Sequence, residues 1–280
     1  MTPAEAQQHP AVRTDPADPA APVVVERDDA VATVRFARPD AMNSLDTATK
    51  EALLAALRQV AEDEAVRCVV LTGTGRAFCV GQDLREHAEA LQARDYSLGS
   101  TVTEHYNPVV RLLAGMDKPV VAAVNGVAAG AGAAFAFAAD LRVVASSAGF
   151  NLAFAAIGLS CDSGTSWSLP RLVGTARAKE LLLRPRTVPA QEALELGLAT
   201  EVVPDEGLPA RAAEVAAELA AGPTRAYGAI RRAVLHSAGT GLDAALEQEA
   251  QLMASTGATQ DHQDAVTAFL GKQQPAFRGR

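Results

Sequence analysis

The stretch that most limits what this chain can fold into is "KPVVAAVNGVAAGAGAAFAFAAD", residues 118–140. A short apolar run of valine and alanine reads as a buried strand. Glycines interrupt it, and an apolar helical run follows at once. "VRCVVLTGTG" before it and "LRVVAS" after it repeat the buried-strand pattern. Strands that alternate with helices imply an α/β core. Asparagine and glycines break the longest apolar segment, so it does not read as a membrane span.

Other elements follow from spacing. "PVVVERDDAVATVRFARP" predicts a hairpin turning at Asp28-Asp29. In "SLDTATKEALLAALRQVAED", Leu53, Leu54, Leu57 and Val60 share one helical face, with Asp46 or Ser44 as the cap. "TEHYNPVVRLLAGMD" reads as a helix bent at Pro108. Beyond Gly164 the pattern is mainly helical, with one short strand in "ATEVVP". The expected division is a tail over 1–22, an α/β core over 23–204 and a helical region over 205–280, which could be a second layer or an oligomerisation surface. The Pro/Ala-rich tail has no apolar stretch of a secretory signal and reads as disordered.

The 280 residues are 49% hydrophobic, enough for one substantial core. A net charge of −8 and only 4% aromatics speak against a nucleic-acid binder. Cys68, Cys79 and Cys161 are odd in number and lack metal-ligand spacing, so free thiols in a reducing cytoplasm are expected. No metal site is expected.

Three glycine-containing turns follow buried strands: "RAFCVGQDL", "NGVAAGAGAAF" and "GLSCDSG". In α/β folds, ligands gather beyond strand carboxyl ends. Gly130, Ala131 and Gly132 open a helix, whose first N–H groups have no intrahelical partner. Such donors can hold a phosphate or a carbonyl oxygen that becomes negative. The same small residues could merely let helix and strand pack closely. A dinucleotide fingerprint would need glycine where Phe135 stands, and no GK[ST] follows for a P-loop. The Gln82 N–H can be presented in the same way. Cys79 and Cys161 read as inert thiols, His105 as a packed or surface residue, and Trp167 as core. Asp162 is the only acid in its segment and has two readings, a helix cap or a proton carrier.

Together, "RPDAMNSLD", "LTGTGRAFCVGQDL", the 118–145 segment, "IGLSCDSGTSWSLPRLVG", "PAQEALELGLATEVVP" and the ending "AFLGKQQPAFRGR" resemble the enoyl-CoA hydratase/isomerase (crotonase) superfamily. The resemblance runs from about Val23 to the C-terminus. It implies a spiral of ββα units with a helical trimerisation region, an acyl-CoA thioester substrate and no cofactor. It also implies self-association as a homotrimer or a dimer of trimers, with no nucleic-acid or membrane partner. The N–H groups of Gln82 and Ala131 match the family's oxyanion hole. Arg38, Ala41, Met42, Asp83 and Leu84 match the CoA path, which Lys272 would complete from a neighbouring subunit.

Hydratases of this superfamily carry two glutamates that jointly activate water. Ala134 and Phe154 stand at those positions here. Asp162 instead matches the single acid of a subset of isomerases, and the segment around "YNPVVRLLAG" resembles the ring-1,2-epoxyphenylacetyl-CoA isomerases of phenylacetate breakdown. The expectation is an acyl-CoA isomerase with Asp162 as base, its pKa raised by Phe154, Ile157 and Leu159. Tyr106, Ala134, Phe137, Phe154 and Trp167 would shape the acyl pocket. The alternatives are an enoyl-CoA hydratase, an aryl-CoA dehalogenase using Asp162 as nucleophile, or a non-catalytic acyl-CoA binder.

Overall fold

A computed structural model describes residues 21–94 and 98–280. The expected tail lies almost wholly outside them. The hairpin forms as anticipated: β1 (Val23–Asp28) and β2 (Val31–Phe36) pair antiparallel, with Asp28 opposite Val31. Helix α1 (Thr47–Glu62) follows, and Asp46 is its cap, accepting from Thr49 N at 2.8 Å. Leu53, Leu54, Leu57 and Val60 are buried on its inner face.

Strands β3 (Cys68–Gly73) and β4 (Ala77–Cys79) precede α2 (Leu84–Gln92), α3 (Leu98–Thr101) and α4 (Asn107–Gly115). A π-helical turn, Val102–Tyr106, joins the last two. The irregularity expected at Pro108 therefore sits one turn earlier, and Pro108 occupies the first turn of α4, where its missing N–H costs nothing. Next come β5 (Val120–Val124), β6 (Val127–Ala129), α5 (Ala131–Ala138), β7 (Leu141–Ala145) and β8 (Gly149–Asn151). The chain continues through α6 (Thr165–Val173), α7 (Thr175–Leu183), β9 (Thr187–Pro189), α8 (Ala190–Glu195) and β10 (Glu201–Val203). It ends with α9 (Leu208–Ala221), α10 (Thr224–Ser237), α11 (Leu242–Gly257) and α12 (Gln260–Leu270).

One sheet has the order β1-β2-β3-β5-β7-β10, parallel from β2 onward; a second has the order β4-β6-β8-β9. Strands β3 and β5 are buried throughout, which is why they read as unbroken apolar runs. Each of β3, β5 and β7 leads into a short strand of the second sheet, so the ββα repeat carries the chain from one sheet to the other. Glycine permits this stacking. A side-chain carbon on Gly132 would lie 2.1 Å from Cys79 O, so α5 rests directly on β4.

Helix α9, the first of the C-terminal helical region, packs on β3, β5 and β7, burying Leu208, Ala212, Val215 and Ala216. Apolar side chains become exposed in the helices after it, at Ile230, Val234, Met253, Phe269 and Leu270. Among the described residues no helix is long and apolar enough to cross a membrane.

Candidate active site

Two of the glycine turns meet. Gly81 has φ +81°, and a side-chain carbon there would lie 2.9 Å from Ala129 O and 3.3 Å from Ala131 N. Gln82 forms an isolated parallel bridge with Leu45: Leu45 N donates to Gly81 O at 2.8 Å, and Asp83 N donates to Leu45 O at 3.2 Å. That pattern leaves the Gln82 N–H out of the ladder. On the other side, Gly130 adopts φ 51°, ψ −125°, a conformation suited to glycine, and donates its own N–H to Asn151 O at 3.0 Å. Ala131 is the first residue of α5, so its N–H has no intrahelical acceptor. Its φ is not positive, which is why alanine is accommodated there. Two backbone N–H groups left out of ladder and helix thus belong to adjoining turns, one at a strand end and one at a helix start.

Two asparagines fix the turn between β3 and β4 that leads to Gly81, and their part was not legible from residue type alone. Asn43 is fully buried with φ 57° and donates to Thr74 O and Ala77 O. Asn125 donates to Gly75 O and Ala77 O and accepts from Gly73 N. Asparagine tolerates the left-handed region and can donate and accept at once. The available signal was Asn125 beside Gly126; Asn43 had none.

Asp162 is not a cap. Ser163 (φ 51°) and Gly164 (φ 70°) are both left-handed and turn the chain before α6, so Gly164 takes the cap position with no side-chain hydrogen bond. Only the Asp162 carbonyl serves the helix, accepting from Thr165 N at 2.9 Å. The carboxylate accepts from Ser163 Oγ at 2.8 Å. Burial pushes its pKa above the ordinary aspartate value, and the Ser163 bond opposes that rise only in part. Ile157, expected among the apolar neighbours, is itself 54% exposed on a 3₁₀ turn. Nearby, Thr165 Oγ1 is buried without a hydrogen-bond partner.

Of the pocket candidates, Tyr106, Ala134, Phe137 and Phe154 are buried. Phe154 lies against the Gly130 turn, 3.9 Å from where a side-chain carbon on that glycine would sit. Phe137 stacks on Phe150 at 5.0 Å. Tyr106 donates to Gln82 Oε1 and packs edge-on against Phe135. Trp167 is not core: it is 42% exposed, with the Arg171 guanidinium 4.3 Å above its ring. His105 is half-buried beside Tyr106, with Nδ1 lacking a partner. Burial raises the Cys68 and Cys79 thiols to about 12, as inert thiols should be.

Arg38 and Asp83 are brought together. Arg38 bonds Ser44 O at 2.7 Å, Asp46 at 2.9 Å and Asp83 at 3.4 Å, and Asp83 caps α2. Burial disfavours the Asp83 charge, but Ser44, the Glu86 and Arg85 N–H groups and Arg38 together hold its pKa below the usual value. Ala41 and Met42 are half-buried on the preceding turn, and Leu84 is exposed. Lys272 stands elsewhere, exposed on the turn after α12. A cavity of about 520 Å³ between α9 and the six-stranded sheet is lined by none of the expected oxyanion, CoA or acyl-pocket residues. Among the described residues no three His, Cys, Asp or Glu side chains are grouped to hold a metal ion.

The sequence and the fold recur in known proteins. The enoyl-CoA hydratase/isomerase family model matches residues 26–280. The 1,2-epoxyphenylacetyl-CoA isomerase of Escherichia coli (strain K12) is 41% identical over 250 residues, which cover 89% of this chain and 95% of that protein. The 4-chlorobenzoyl coenzyme A dehalogenase-2 of Arthrobacter sp. is 36% identical over 236 residues, 84% of this chain and 86% of that protein. The crystal structure of an enoyl-CoA hydratase from Bacillus anthracis superposes with a TM-score of 0.86 at 32% identity, covering 92% of this chain and 100% of that one. The family match and these identities show that the chain belongs to the enoyl-CoA hydratase/isomerase (crotonase) family.

Proposed function

We propose that the protein is an acyl-CoA isomerase in which Asp162 moves a proton while the Gln82 and Ala131 N–H groups hold the thioester oxygen. The reading rests on two backbone N–H groups left out of ladder and helix, and on a desolvated Asp162 whose charge is felt by Tyr106, the residue bonded to Gln82. The two positions where hydratases of the family carry glutamate are filled by buried Ala134 and Phe154.

The step balances with one acid. Asp162 takes the proton from the carbon next to the thioester carbonyl of a 3-enoyl-CoA, and the electron pair moves onto the carbonyl oxygen. The two N–H groups stabilise that negative oxygen; removing one such donor costs about 3 kcal/mol in comparable sites. The protonated Asp162 returns the proton to the far end of the extended enolate, and the double bond moves into conjugation. A carboxylate at its free pKa of about 3.9 is a weak base, and the burial of Asp162 works in the needed direction. Ring-epoxide isomerisation would use the same oxyanion support.

The remaining parts of the reading follow. The Arg38–Asp83 loop and Leu84 line the CoA path, and Lys272 reaches the CoA phosphates from a neighbouring copy. The buried aromatics shape the acyl pocket. The exposed apolar side chains of α10 to α12 pack between copies in a homotrimer or a dimer of trimers. Buried free thiols at Cys68 and Cys79 fit a reducing, cytoplasmic setting.

The 36% identity to a dehalogenase favours one second reading, in which Asp162 attacks an aryl carbon. Product analysis separates the two. Incubation with a 3-enoyl-CoA should give the 2-enoyl isomer at unchanged mass. A product heavier by one water from a 2-enoyl-CoA would mean a hydratase, and chloride release from 4-chlorobenzoyl-CoA would mean a dehalogenase.

A further inference from the structure

Tyr106 is 1% exposed and ends the π-helical turn that precedes α4. Its ring stands edge-on against Phe135, with centroids 6.0 Å apart. Phe135 lies one turn into α5, the helix that begins with Ala131. The Tyr106 hydroxyl donates to Gln82 Oε1. One side chain therefore grips both halves of the oxyanion pocket. Gln82 needs such a grip, because its backbone is tied by an isolated bridge and not by a full ladder. A donor aimed at a developing charge acts only if its direction is fixed in advance. Burial raises the Tyr106 phenol well above its ordinary pKa, and the Asp162 charge adds to the rise. The hydroxyl thus stays protonated and donating, and Asp162 is close enough to be felt.

We infer that Tyr106 is a positioning residue: its hydroxyl clamps the Gln82 side chain and its ring braces α5, fixing both oxyanion donors relative to Asp162. This rests on the isomerase reading for its kinetic consequence, but not for its spectroscopic one. A core tyrosine that only filled space would bury its ring equally well without its hydroxyl.

The test uses Tyr106→Phe, which keeps the ring against Phe135, and Gln82→Met, which keeps the backbone N–H and removes the acceptor. Infrared spectroscopy of bound butanoyl-CoA, labelled with ¹³C at the thioester carbonyl, reads how strongly the pocket polarises that bond without any turnover. The wild type should shift the stretch to lower frequency. Both variants should lose a similar part of that shift, and the double variant should lose no more than either alone. With a 3-enoyl-CoA, kcat should fall about tenfold at nearly constant KM, less than the 10²–10³ of losing a donor outright. A full shift in Tyr106→Phe, or losses that add in the double variant, would overturn the inference. So would a wild type that leaves the stretch unmoved. A shifted stretch in a wild type that forms no isomer would defeat the isomerase reading and leave the clamp standing.

Discussion

Asp162 gains its character from its neighbours. Two consecutive left-handed residues lift its carboxylate out of the capping position, and burial makes it more basic. A non-glycine residue with positive φ is costly and needs a reason; here Ser163 uses it to reach the carboxylate. The sign of the pH effect follows. A base must be ionised, so isomerase activity should rise as pH climbs through a pKa above that of free aspartate. The Ser163 hydrogen bond lowers that pKa. Ser163→Ala should therefore move the acid limb of the kcat profile to higher pH; an unmoved or lowered limb would show that Ser163 does not act on Asp162. The carboxylate was legible from sequence as the only acid in an apolar segment. The failure of the cap was not, because "DSG" before a helix suits a cap equally well and only backbone angles decide.

Among the elements, helix α5 carries the site, and its contact with β4 fixes where Ala131 points. Gly132 permits that contact: a methyl group there would sit 2.1 Å from Cys79 O, backbone that cannot move aside. Gly132→Ala should lower unfolding free energy by about 3 kcal/mol, or prevent folding, since overpacking costs about 1–3 kcal/mol even where neighbours can shift. Denaturant unfolding checks this; a change within about 0.5 kcal/mol, typical of surface positions, would contradict it. The long buried strands and amphipathic helices were plain from periodicity. The three-residue strands β4, β6, β8 and β9 were not distinguished, because a strand so short has no period to read, although β10, equally short, was legible in "ATEVVP". Trp167 shows the same limit: an aromatic on an amphipathic helix reads as core, yet it lies exposed under Arg171.

For the whole molecule, the order of motifs along the chain carried the family and the α/β architecture. The place of α9 needed coordinates, since an alanine-rich amphipathic helix can cover its own sheet or another subunit equally well. The helices after it leave Val234 68%, Met253 73% and Phe269 80% exposed. Large apolar side chains grouped on one region mark an interaction surface. Sedimentation at micromolar concentration should give a trimer or hexamer, and Val234→Asp with Phe269→Asp should shift it toward smaller species. A wild-type monomer would contradict self-association.

Asp162 as the single proton carrier is tested most directly by mass spectrometry of a straight-chain enoyl-CoA incubated in D₂O with the wild type and with Asp162→Asn. The wild type should take up deuterium without gaining water. The variant should slow that uptake by about 10²–10⁴, the usual worth of a general base. Uptake at the wild-type rate in Asp162→Asn, or a mass gain of one water, would contradict the account.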